Sequence, residues 1–201
     1  MMNDKLIGLV ACGGKSSRMG KEKFLLHYHG IPQYEQVYRL LVEPCEEVYI
    51  SCNAAQQHLI STEFPCIVDL PNYSDIGPMA ALWAAHQKFP TASFLLLGCD
   101  YPLLKQGDIQ KLVEARKEEC EAICYYHPES KMEEPLLALY ENRAFQQLKK
   151  NLQNQNYSLR HLLKEIKTHL IPANKHSNLI SVDSPEQIES LAELKKLLKG
   201  N

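Results

Sequence analysis

A chain of 201 residues with 45% hydrophobic side chains is long enough for one buried core and short for two, so a single domain spanning 1–201 is expected. Its 22 Lys and Arg against 24 Asp and Glu leave a formal charge of -2, which excludes the broad basic field that draws in nucleic acid. No stretch approaches the roughly 20 apolar residues a membrane span needs, so a cytoplasmic protein without a membrane partner is the expectation.

In chain order, Lys5 to Ala11 is a continuous apolar run ending at Cys12, Gly13 and Gly14, as in a strand buried on both faces that ends in a tight turn. Ile31 to Val42 opens with Pro32 and carries Tyr34, Val37, Tyr38 and Leu41 at helical spacing. Glu47 to Cys52 and Cys66 to Asp69 read as strands, Pro78 to Lys88 as a helix, and Ser93 to Gly98 as a fully apolar strand. Gln106 to Glu119 is amphipathic and helical, and Ala122 to Tyr126 is another strand. Beyond it come a strand over Leu136 to Tyr140, helices over Arg143 to Asn151 and Leu159 to Ile166, and a short strand over Leu179 to Val182. Ser184 to Leu198 is a terminal helix with a Ser-Pro-Glu capping signature. This alternation predicts an α/β protein: three layers, α/β/α, around a mostly parallel, Rossmann-like sheet with ligands at the carboxyl ends of its strands.

The cysteines, at 12, 45, 52, 66, 99, 120 and 124, contain no C-x-x-C pair and are odd in number, which argues against zinc and a disulfide scaffold. Cys12, Cys52, Cys66 and Cys99 fall in or beside predicted strands, where free thiols serve as small core residues.

The most informative stretch runs from Ala11 through Cys12, Gly13 and Gly14 to Lys23. Glycines let backbone N–H groups approach phosphate oxygens, and Lys15, Arg18, Lys21 and Lys23 surround that turn with positive charge opposed only by Glu22. It is not a Walker loop, because five residues separate Gly14 from Gly20 and Lys21 is followed by Glu22. Asp100 stands just beyond the apolar strand Ser93 to Gly98, where a carboxylate can hold magnesium together with substrate phosphates.

The Gly13 to Gly20 segment with Lys23 resembles the signature of nucleotidyltransferases that activate molybdopterin, isoprenoid precursors and sugar phosphates. The glycine at 13 and the Cys99-Asp100-Tyr101-Pro102 string resemble the molybdenum cofactor guanylyltransferase family in particular. That resemblance implies a fold of the nucleotide-diphospho-sugar transferase type, with 1–126 the nucleotide-binding half and 127–201 the acceptor half. It implies transfer of GMP from GTP to the phosphate of molybdopterin, with Mg2+ on Asp100. Ala11, Cys12, Gly13, Gly14, Ser51, Asn53 and Asp69 then line the nucleotide pocket, and Lys23 and Arg18 neutralise the triphosphate. Gly77, Pro78, Arg160, Ser181 and Asp183 fall to the acceptor side, and transient contact with cofactor-carrying or acceptor enzymes is a further expectation. The chain departs from the family pattern at Ala81, where a glycine is usual, at Glu134, where a histidine is usual, and at Ser181 and Asp183, which replace asparagines. Two alternatives stand beside this reading: a cytidylyl- or sugar-phosphate nucleotidyltransferase, and a catalytically silent carrier of GTP or cofactor.

Overall fold

The computed structural model describes residues 4–12, 22–74, 76–173, 178–182 and 187. Seven strands form one sheet: β1 (Leu6–Ala11), β2 (Glu47–Cys52), β3 (Cys66–Val68), β4 (Ser93–Gly98), β5 (Ala122–His127), β6 (Met132–Tyr140) and β7 (Thr168–Pro172). Their spatial order is β3-β2-β1-β4-β6-β5-β7, with β6 alone running against its neighbours. The helices are α1 (Gln33–Val42), α2 (Pro78–Lys88), α3 (Gln106–Glu114), α4 (Phe145–Gln153) and α5 (Leu159–Glu165).

The central strands β1 and β4 are almost wholly apolar because both faces are covered. Leu6, Val10, Leu95 and Leu97 point into one cluster with Val37 and Leu41 of α1 and Ile109 and Leu112 of α3. Ile7, Leu9, Phe94 and Leu96, one position out of phase, meet Met79 and Leu82 of α2 and Phe145, Leu148 and Leu162 from α4 and α5. The two-residue alternation of strand side chains thus sorts one sequence run into two cores, giving three layers. All seven cysteines are free, and Cys12, Cys52 and Cys99 are buried.

Four elements differ from the sequence expectation. The helix expected over 106–119 ends at Glu114, and the chain turns at Ala115. That turn delivers Arg116 to Glu141, whose carboxylate accepts from Arg116 Nε at 2.9 Å and Nη2 at 2.8 Å, and from Ser93 Oγ at 2.7 Å. A buried carboxylate demands such partners, and the demand outweighs helical periodicity. The strand expected from Leu136 starts at Met132 instead, and its pairing with β5 shifts register between Cys124 and Tyr125. Pro135 lies in that irregularity, where no ladder N–H is needed. The segment expected as a strand over 179–182 joins no ladder; Leu179 and Val182 are plugs buried to 4% and 1% exposure. The seventh strand is β7 instead, a half-exposed edge paired parallel to β5. The terminal helix expected over 184–198 lies outside the described residues apart from Gln187.

Candidate functional site

The parallel half of the sheet brings its strand ends together by continuing its own hydrogen bonding. Cys12 N donates to Ser51 O at 3.0 Å, Asp69 N to Cys52 O at 3.0 Å, and Cys99 N to Ala11 O at 3.3 Å. Ala11, Cys12, Ser51, Asp69 and Cys99 therefore share one carboxyl edge. Across it the Cys12 and Cys99 sulfurs lie 3.7 Å apart. Burial pushes the Cys12 thiol well up, and the Cys99 contact adds to the rise, so Cys12 packs rather than reacts.

Asn53 opens a clasp with Gln56: Asn53 N donates to Gln56 Oε1 at 3.2 Å and Gln56 N to Asn53 Oδ1 at 2.9 Å. Gln56 Nε2 then donates to Glu22 Oε2 at 3.0 Å, which ties the segment carrying Lys23 to the end of β2. Phe24, 1% exposed and edge-on to Tyr34, anchors the short 3-10 turn Lys23–Leu25 from below. Of the remaining loop calls, Gly13, Gly14 and Arg18 lie outside the described residues, as does Asp183.

Asp100 sits one residue past Cys99, and its position depends on Gly98. A Cβ on Gly98 would stand 2.3 Å from Asp100 Oδ1 and 3.1 Å from Leu136 Cβ, so the carboxylate fits only because residue 98 has no side chain. The turn that follows is held from outside by Val182 N, which donates to Asp100 O at 2.7 Å, and by His29 Nε2, 2.6 Å from Pro102 O. Tyr28 and Tyr101 flank the carboxylate; burial raises both phenols, and the charge of Asp100 raises them further. Among the described residues no group of three or more His, Cys, Asp or Glu side chains could cage a metal. A single strand-end carboxylate in a glycine cradle fits magnesium, which takes its other ligands from phosphates and water.

Asp69, beyond β3, is raised to about 6 by burial. Gly77 precedes α2 with φ 69 and ψ -153, a conformation reserved for glycine, so Gly77-Pro78 is more than a plain helix start. On the far side of Asp100, the Tyr101 hydroxyl donates to Glu134 Oε2 at 2.5 Å, and Glu134 Oε1 lies 3.3 Å from His127 Nε2. Arg160 is exposed, its Nε donating to Glu133 O at 3.0 Å, and its charge reaches Tyr101. Ser181 adjoins Val182 and so the Asp100 turn.

Sequence reasoning missed Gln56, Tyr28, His29 and Tyr101. Only Tyr101 carried a signal, from its place directly after Asp100; the others act through contacts made by folding. No helix among the described residues is long and apolar enough to cross a membrane.

Comparison with known proteins gives the family and the fold. The family model described as MobA-like NTP transferase domain matches residues 8–170. A molybdenum cofactor biosynthesis bifunctional protein of Synechocystis is 31% identical over 185 residues, covering 90% of this chain and 52% of that protein, so the chain spans about half of it. A probable molybdenum cofactor guanylyltransferase of Bacillus cereus is 27% identical, with 80% of each chain covered. Among solved structures, molybdopterin-guanine dinucleotide biosynthesis protein A from Archaeoglobus fulgidus superposes with a TM-score of 0.77 at 22% identity, covering 94% of this chain and 98% of that one. The fold is of the nucleotide-diphospho-sugar transferase type.

Proposed function

Because the chain belongs to the MobA-like NTP transferase domain family, we propose that it transfers GMP from GTP to the phosphate of molybdopterin, releasing pyrophosphate and forming molybdopterin guanine dinucleotide. The observation that carries this reading is the 3.7 Å approach of Cys12 and Cys99. Cys12 immediately precedes the glycine-rich loop and Cys99 immediately precedes Asp100, so the phosphate turn and the strand-end carboxylate spring from adjacent points. The names of the relatives in Synechocystis and Bacillus cereus support the same acceptor.

In this reading an oxygen of the acceptor phosphate attacks the α-phosphorus of GTP. The bond from that phosphorus to the bridging oxygen breaks, and pyrophosphate departs with the negative charge. The attacking phosphate is already ionised near neutral pH, so no side chain need remove a proton. Gly13 and Gly14 offer backbone N–H groups to the phosphates, while Lys23 and Arg18 neutralise the triphosphate. Ala11, Cys12, Ser51, Asn53 and Asp69 line the nucleoside side. Magnesium, held by Asp100 and the phosphates, would supply charge neutralisation on the leaving oxygens. Gly77, Pro78, Arg160, Ser181 and Asp183 are assigned to the acceptor in this reading, Arg160 as an exposed cation suited to its phosphate. The seven free thiols support a cytoplasmic setting, and handing the product to acceptor enzymes is part of the reading.

The test is magnesium-dependent pyrophosphate release with each of four nucleoside triphosphates, with and without molybdopterin. Release with GTP that requires molybdopterin is expected. Turnover with CTP or UTP in place of GTP would overturn the donor assignment, and GTP binding without any release would make the protein a carrier.

A further inference from the structure

Among the described residues, the turn that begins at Asp100 is fastened from separate parts of the chain. His29 reaches Pro102 O at 2.6 Å from the loop before α1, and Val182 N reaches Asp100 O at 2.7 Å from the C-terminal segment. The third fastening joins side chain to side chain: the Tyr101 hydroxyl to Glu134 Oε2 at 2.5 Å. Tyr101 is 3% exposed, and a phenol at that depth is costly unless its hydroxyl is bonded. A short bond to a carboxylate is among the strongest available. Glu134 arrives at this level because β6 runs antiparallel to β4 with Leu97 opposite Leu137, so the strand continues past the sheet edge alongside Asp100. Its second oxygen is steadied by His127, 3.3 Å away.

We propose that Glu134 is a positioning residue for nucleotidyl transfer: it acts through Tyr101 to fix the Asp100 turn, and so aligns the donor-side carboxylate with the acceptor-side cation Arg160. This rests on the nucleotidyltransferase reading above. Tyr101 follows Asp100 in the chain and donates to Glu134, whose chain neighbour Glu133 accepts from Arg160 Nε at 3.0 Å. Without Glu134 the buried phenol loses its acceptor and the turn loses its hold on β6, while the nucleotide pocket on β1 to β3 is untouched. The cost therefore falls on alignment and not on donor binding.

The test compares Glu134→Ala, Glu134→Gln, Tyr101→Phe and the double variant Glu134→Ala/Tyr101→Phe in the full chain. Glu134→Ala is expected to lower kcat about 10- to 100-fold with KM for GTP changed less than about twofold, the size of a small misalignment. Glu134→Gln keeps an acceptor oxygen and is expected to recover most of that loss. The double variant should be no worse than the more impaired single, since both remove one contact. The electron paramagnetic resonance spectrum of Mn2+ in the enzyme–GTP complex should change shape in Glu134→Ala, where the Asp100 carboxylate is displaced, and match wild type in Glu134→Gln. If Glu134→Ala fails to fold, Glu134→Gln and Tyr101→Phe decide the matter through the same two readouts. Wild-type kcat and an unchanged Mn2+ spectrum in Glu134→Ala, or additive losses in the double variant, would overturn the proposal while leaving the enzyme reading intact. A wild-type protein that neither binds GTP nor releases pyrophosphate would overturn both.

Discussion

The parallel sheet from β3 to β4 and the mixed sheet from β6 to β7 build their edges in different ways. In the first, every strand runs the same way and ends on the same side, so Cys12, Asn53, Asp69 and Asp100 reach one edge simply by following their strands. In the second, β6 is reversed and its pairing is bulged, and the residues at the edge, Glu134, His127 and Arg160, are assembled by side-chain bonds across elements. One half takes its geometry from topology and the other from particular contacts. Substitutions should therefore hurt the first half through lost charge and the second through lost fastening.

The largest expected effect tests the first half. Asp100→Ala and Lys23→Ala should each reduce pyrophosphate release by about 1,000-fold or more, because each removes a charge aimed at the departing phosphates. Steady-state rates near wild type in either would remove the parallel edge from the chemistry. Next comes Arg116→Ala, which strands the Glu141 carboxylate, 3% exposed, with Ser93 as its remaining side-chain donor. Thermal or urea unfolding should register a loss of about 3 kcal/mol, the usual cost of breaking a buried ion pair. A loss below about 1 kcal/mol, the range of surface pairs, would mean that this pair behaves as a solvated one.

Gly98→Ala sharpens the comparison at the junction. A methyl group there collides with Asp100 Oδ1, so kcat should fall about 10- to 100-fold with folding largely retained. Unchanged turnover would mean that Asp100 need not lie over residue 98. The smallest effect concerns Asp69, which burial raises to about 6. Between pH about 4, the usual value for a free aspartate, and about 6, the folded protein keeps a proton that the unfolded chain releases, so this group lowers stability as pH rises through that window. Asp69→Asn should therefore raise the melting temperature at pH 7 by the equivalent of about 1 kcal/mol, after allowance for solvent screening, with no gain at pH 4. A gain that is the same at both pH values would rule out the ionisation of Asp69 as its source.

The same contrast explains how much the sequence discloses. Strands β1 and β4 were legible because both faces are buried and the runs are almost continuously apolar, and the place of Asp100 was legible as the first carboxylate after the second of them. The role proposed for Lys23 comes from the charge around the glycines. Strand β7 was not, because it is a half-exposed edge whose side chains alternate with His169 and end at Pro172. The apolar residues Leu179 and Val182 gave a false strand signal, since a buried plug and a buried strand have the same composition. Gln56, Tyr28 and His29 act on the site by contacts across long stretches of chain, which no local pattern encodes.

The reversal of β6 also sets where this molecule can tolerate change. The hairpin tip between β5 and β6 is exposed, with Lys131 at φ 54, and can lengthen without disturbing anything below it. A one-residue insertion between Leu136 and Tyr140 is another matter: side chains alternate along a strand, so the slip would turn Glu134 toward the opposite helical layer and send Tyr101 in search of a new partner. Length variation among related chains should accordingly gather at the tip and be absent from the seam where β6 meets β4.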